Sequence, residues 1–167
     1  MSDLVRAAAA ADAADIARIY NEGIADRIAT FETEPRTPEG IARTLAEHAD
    51  RYPTVVAERD GRVIAWAAAS EYRPRECYAG IAEFSVYVSR DARGTGAGRA
   101  AMRGLIAACE ARGFWKLVSR VFPENAASRG LLASLGFREV GTYERHAKLD
   151  GEWKDVVIVE KRIGAAR

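Results

Sequence analysis

The chain has 167 residues, 49% hydrophobic and 29% charged, which suits one core and is short for two, so a single domain over residues 1–167 is expected. Its 25 basic and 24 acidic residues leave a formal net charge of +1, too even a balance to gather nucleic acid or an anionic membrane, so any anion must be bound locally. No stretch approaches the roughly 18 apolar residues of a membrane span, and Asp12 and Asp15 interrupt the alanine-rich start before a signal-like apolar segment forms, so a cytoplasmic location is expected.

In chain order, "DLVRAA" predicts a short strand, and Asp12 offers an N-cap to a helix through about Asp26 whose Ile16, Ile19 and Tyr20 recur at i, i+3, i+4. "TFETEPRTPEG" is a turn-rich loop, after which Pro38 suits the first position of a helix facing inward through Ile41, Leu45 and His48. "TVVAERDGRVIAWAAAS" predicts a hairpin turning at Asp60-Gly61, and "EYRPRECY" a loop. "IAEFSVYVS" alternates as a strand, with Ala82, Phe84, Val86 and Val88 on one face and Glu83, Ser85 and Tyr87 on the other. A helix follows with Met102, Leu105, Ile106 and Cys109 on one side and Gly113 at its end. "FWKLVSRVF" reads as a strand, "ENAASRGLLASLGF" as a capped helix ended by Gly136, and the tail as a long hairpin turning at Asp150-Gly151. The order β-α-α-β-β-β-α-β-α-β-β gives a mixed sheet covered by helices, in the α/β (α+β) class. Cys77 and Cys109 form no CxxC pair, and His48 and His146 lie far apart without an HExxH neighbour, so free thiols and no metal are expected.

The segment "SRDARGTGAGRAA" sits between the alternating strand and the helix, with Gly94, Gly96 and Gly98 at every second position and Arg93 and Arg99 on either side. A strand, a glycine-rich turn and a helix N-terminus form an anion site, because the first turn leaves N–H groups unpaired and the dipole is positive there. A turn that binds nothing is the plain alternative. A Walker A loop would need Lys-Ser/Thr after Gly98, where Arg99 and Ala100 stand; a GxGxxG fingerprint would need a third glycine at Arg99 or Ala101. What remains is Arg/Gln-x-x-Gly-x-Gly/Ala, met by Arg93, Gly96 and Gly98.

That loop resembles the pyrophosphate loop of the GNAT superfamily of acetyl-coenzyme A dependent N-acetyltransferases. "ATFETEP", "RYPTVVAERDGRVIAWA", "YRPRECY", "AEFSVYVS", "ENAASRGLLASLGF" and "DGEWKDV" are together similar to the phosphinothricin N-acetyltransferase family, whose relatives also acetylate methionine sulfoximine and arsinothricin. The resemblance covers nearly the whole chain. It implies the GNAT acyl-coenzyme A N-acyltransferase fold, a mixed and mostly antiparallel twisted sheet flanked by helices, and acetyl-coenzyme A as co-substrate. The coenzyme would meet the backbone of Val86, Tyr87 and Val88, the loop Arg93, Gly94, Thr95, Gly96, Ala97, Gly98 and Arg99, and also Asn125 and Ser128. Glu83 matches the family's general base, although a carboxylate on such a strand face is ordinarily solvated or ion-paired. A strand N–H freed by a bulge would polarise the thioester carbonyl.

By the same resemblance Arg73 and Arg75 would bind the acidic head group of the substrate, and Phe31 and Tyr78 would wall the pocket. The chain departs from the family at Leu132, where a tyrosine or histidine general acid usually stands, leaving Ser128, Tyr143 or solvent to protonate the thiolate. It also has Asp150 where a tail-turn histidine occurs in some members, and no catalytic role passes to His146. A homodimer without nucleic-acid or membrane partners is implied. Two other functions stay open: acetylation of another small amine or a protein N-terminus, and a non-catalytic acyl-coenzyme A binding module.

Overall fold

The computed structural model describes residues 2–167. Its strands are β1 (Leu4–Ala7), β2 (Thr54–Arg59), β3 (Arg62–Glu71), β4 (Ile81–Val88), β5 (Lys116–Val121), β6 (Arg138–Leu149) and β7 (Glu152–Arg162), and its helices α1 (Ala13–Asp26), α2 (Pro38–His48), α3 (Ala97–Ala111) and α4 (Ala126–Ser134). All strands join one sheet in the order β1-β2-β3-β4-β5-β7-β6. Only β4 and β5 run parallel.

Local chemistry accounts for most boundaries. Thr37 accepts a hydrogen bond from the Gly40 N–H at 3.1 Å and caps α2, with Pro38 at its first position. Both hairpins turn at an Asp-Gly pair in the left-handed region, as sequence led one to expect. Asp12 departs from its expected role. It belongs to a 3₁₀ turn, Ala10–Asp12, and makes no side-chain cap for α1; its carboxylate accepts from the Ala9 N–H at 2.7 Å and from Arg6 at 2.8 and 2.9 Å. A fixed guanidinium within reach outcompetes a cap.

The central strands are covered on both faces. Met102, Leu105 and Cys109 of α3 pack with Ala65, Ala67, Phe84 and Leu117 on one side, while Ile16 and Ile19 of α1 pack with Val56 and Trp66 on the other. The expected alternation of β4 therefore divides it between two cores: Phe84 belongs to the first, and Tyr87 packs against the second.

The feature that positions the site is the pairing of β4 with β5. It lasts three rungs, Ile81, Ala82 and Glu83 opposite Lys116, Leu117 and Val118, and then the strands part. Ser119 Oγ donates to the Phe84 carbonyl at 2.8 Å, closing the first gap. The register between β3 and β4 is unbroken, so the open backbone on β4 arises from its divergence from β5.

Candidate active site at the strand divergence

Ser89 N–H bonds the Ile64 carbonyl of β3 at 2.7 Å, and successive residues of a strand turn their N–H and C=O to opposite edges. The backbone groups of Val86 and Val88 therefore face the side vacated by β5, and those of Tyr87 face Trp66 in β3. Of the three positions expected to meet the coenzyme arm, two turn their main chain to this open side, where the Val88 carbonyl accepts from Arg93 Nε at 3.4 Å. Tyr87 contributes its ring, stacked on Trp66 at 5.0 Å between centroids, with burial raising its hydroxyl pKa.

Just beyond β4, Gly94 and Gly96 take φ of 76° and 92°, which side-chain-bearing residues adopt at a cost, and Gly96 is the N-cap of α3. The first N–H to find a partner is Ala100, bonded to the Gly96 carbonyl at 3.0 Å; those of Ala97, Gly98 and Arg99 precede any helical acceptor. A Cβ on Gly98 would lie 3.0 Å from Val88 Cγ2 and 3.2 Å from Leu131 Cδ2, so its absence lets the first turn of α3 settle between β4 and α4. Arg93 pairs with Asp26 at 2.7 Å and Arg99 donates to Ser134 Oγ at 2.8 Å. Arg90 first, and Arg93 after it, hold the Asp26 carboxyl below the usual range. Thr95 is tied to the Ala92 carbonyl.

On the α4 side a cavity of about 50 Å³ is lined by Val86, Asn125, Ser128 and Leu132. Asn125 caps α4 by accepting from the Ser128 N–H at 3.2 Å and donates to the Ile28 carbonyl at 3.2 Å. Leu132 is 2% exposed and packs into the larger core, so the position that departs from the family offers no proton.

A larger cleft of about 710 Å³ shares Phe84, Ser85 and Tyr87 with the smaller one. Arg120 lines both, and the larger cleft is also walled by Glu83, Phe31, Glu32 and His146. Phe31 meets Phe122 edge-on at 4.9 Å. The structure thus gathers Glu83 and Phe31 at one cleft. Arg73, Arg75 and Tyr78 lie outside its walls, in the loop between β3 and β4: Arg73 sits over the Tyr72 ring and Arg75 over Tyr78, at 5.2 and 5.7 Å from the centroids. Tyr72, with a smaller contribution from Glu83 and Tyr143, raises the Arg73 pKa, so this loop is within electrostatic reach of Glu83.

Among the cleft residues, Arg120 was not singled out from sequence, and His146, given no catalytic role there, lies on the cleft wall. Arg120 reaches Glu83 at 3.8 Å because Val118 faces Glu83 and Arg120 follows two residues later on the same face, a register no local pattern reveals. His146 arrives through a bulge in β6, where the register slips between Tyr143 and Ala147, Arg145 takes φ 45°, and its N–H bonds Asp155 at 2.8 Å. The His146 ring stacks on Tyr143 at 4.6 Å.

Comparison with known proteins bears on this geometry. The chain is 36% identical over 152 residues to the phosphinothricin N-acetyltransferase of Alcaligenes faecalis, covering 90% of this chain and 77% of that protein. It is 33% identical over 172 residues to the L-methionine sulfoximine/L-methionine sulfone acetyltransferase of Pseudomonas aeruginosa, covering 100% and 98%. The crystal structure of a GNAT superfamily phosphinothricin acetyltransferase from Sinorhizobium meliloti, in complex with acetyl-coenzyme A, superposes with a TM-score of 0.91 at 33% identity, over 98% of this chain and 90% of that one. The profile of the Acetyltransferase (GNAT) family matches residues 16–137, a span that includes the open edge of β4, the glycine turn and the start of α4. With fold, profile and relatives agreeing, the chain belongs to the GNAT family and is an acetyltransferase.

Proposed function

We propose that the protein transfers the acetyl group of acetyl-coenzyme A to the α-amino group of a small amino acid of the phosphinothricin kind, among them arsinothricin, methionine sulfoximine and methionine sulfone, and so confers resistance to such toxic analogues. It is further proposed to act as a homodimer. The observation that carries the reading is the position of Glu83 on the last shared rung of β4 and β5, on the wall of the large cleft and next to the open backbone edge.

Each part of the site has a task in that reaction. The unpaired N–H groups at the start of α3, with Arg93 and Arg99, would hold the coenzyme pyrophosphate, and the vacant edge at Val86 and Val88 would pair with its amide arm. The acceptor amine would enter through the cleft. Glu83 takes one proton from the ammonium, the freed lone pair attacks the thioester carbon, and as the C–S bond breaks with its electron pair leaving on sulfur, the nitrogen gives up its second proton to solvent. A backbone N–H at the divergence would stabilise the oxyanion formed in between. Leu132 supplies no proton, so the thiolate takes one from solvent or from Ser128, which lines the adjoining cavity.

Steady-state release of coenzyme A thiol, measured with phosphinothricin, arsinothricin, methionine sulfoximine and methionine sulfone, tests the reading. Turnover of at least one is expected, with Glu83→Gln lowering kcat by about 100-fold or more. No turnover of any of the four would reject the substrate class.

A further inference from the structure

Resting on the reading above, we infer that Arg120 is a specificity residue that takes the free α-carboxylate of the acceptor while Glu83 takes the ammonium proton beside it. Glu83 and Arg120 form an ion pair at 3.8 Å on one wall of the large cleft. Among the described residues lining that cleft, Arg120 is the one bearing a guanidinium or ammonium group.

The pair is the loosest arginine–carboxylate pair among the described residues, the others closing to 3.2 Å or less. Arg6 holds Asp12, and Arg129 holds Glu139, through two donors at 2.9 Å or less. Arg120 makes a single contact, longer than a hydrogen bond, with side chains 49% and 33% exposed, and its N–H donors are unspent within the described residues. Such a pair contributes little to folding and yields readily to a better partner.

An α-amino acid is that partner by shape and charge. Its ammonium nitrogen and carboxyl carbon are about 2.5 Å apart through the tetrahedral Cα. Laid head to tail against a Glu–Arg pair of this separation, it forms two opposite-charge contacts at once, ammonium to Glu83 and carboxylate to Arg120, the latter suited to a forked interaction. The amine is thereby fixed beside its base. The acceptor's second acid, where it has one, is left for Arg73 and Arg75 at the loop, so two acidic groups meet two separate cationic positions. An amine lacking the carboxylate, or one on a residue whose carboxylate is tied up in a peptide bond, forgoes half of this grip.

The test compares phosphinothricin and methionine sulfone, each as the free acid and as the α-carboxamide, with wild type, Arg120→Ala and Arg120→Lys. Taking ratios between variants cancels the different intrinsic reactivity of the two amines. For the free acids, Arg120→Ala is expected to raise KM by about 10- to 100-fold with a smaller change in kcat, to leave the carboxamides nearly unaffected, and to be partly rescued in Arg120→Lys. Equal losses for acid and carboxamide, or no loss for the acid, would overturn the assignment. If wild type acetylates none of the acids, the proposed function fails, and the same comparison is read by saturation-transfer NMR on protein loaded with coenzyme A. A preference for acid over carboxamide that vanishes in Arg120→Ala then still supports the role, and no preference refutes it.

Discussion

Asp12 and Glu83 are both carboxylates facing an arginine, and their surroundings divide a structural task from a chemical one. Asp12 is 6% exposed and accepts three hydrogen bonds, two from Arg6 and one from the Ala9 N–H. Arg6 above all, against the cost of burial, holds its carboxyl below the usual carboxylate range. Its contribution to stability is therefore complete above the unfolded value of about 3.9 and is lost as pH falls through the lower folded value. Asp12→Asn is expected to cost about 1–2 kcal/mol at pH 7, discounted for the partly exposed Arg6, and urea melts should show the gap between variant and wild type shrinking below about pH 4. Sequence marked both carboxylates but misjudged the first: a cap is inferred from neighbours in the chain, whereas Arg6 competes through space. Arg120 was missed, and the place of His146 on the cleft wall was not legible, for the same reason, since one depends on how two strands pair and the other on a bulge.

At the scale of elements, the start of α3 joins conformation to binding. Gly96 has φ 92°, and any larger residue placed there carries left-handed strain of about 1–2 kcal/mol and tilts the first turn away from its present position. Gly96→Val is expected to weaken coenzyme A binding at least 10-fold by calorimetry, roughly the cost of that strain. Unchanged affinity in folded variant would count against an anion site at this turn. The alternate glycines, Pro38 at the start of α2 and the Asp-Gly turns were legible because each is a local rule about φ or about an unpaired N–H. The role of Gly98 was not, because it lies in the methyl groups of Val88 and Leu131, brought near by the fold.

Across the whole molecule, the two sheet edges differ. β1 has four residues, while β6 has twelve and is exposed along nearly its full length, with Val140 at 46% and Tyr143 at 51%, and Trp153 of the adjoining β7 at 54%. A long edge with exposed apolar side chains invites a partner, which supports the proposed homodimer. Sedimentation equilibrium at micromolar concentration is expected to give twice the 18.2 kDa chain mass, with Tyr143→Glu shifting the balance toward monomer; a monomeric wild type would refute it. The strand order itself was available only through likeness to a known family, because pairings between β4 and β5 or β5 and β7 link segments that share no local pattern.

The parting of β4 from β5 has a consequence for how such a protein can change. In the proposed reading the coenzyme arm is gripped by peptide backbone, common to every amino acid, whereas the acceptor pocket is drawn in side chains such as Phe31 and Arg120. On that reading, replacing such pocket side chains while keeping Glu83 redraws the menu of amines and leaves the handle for the donor intact, so acceptance of a new amine needs only a few substitutions on one wall.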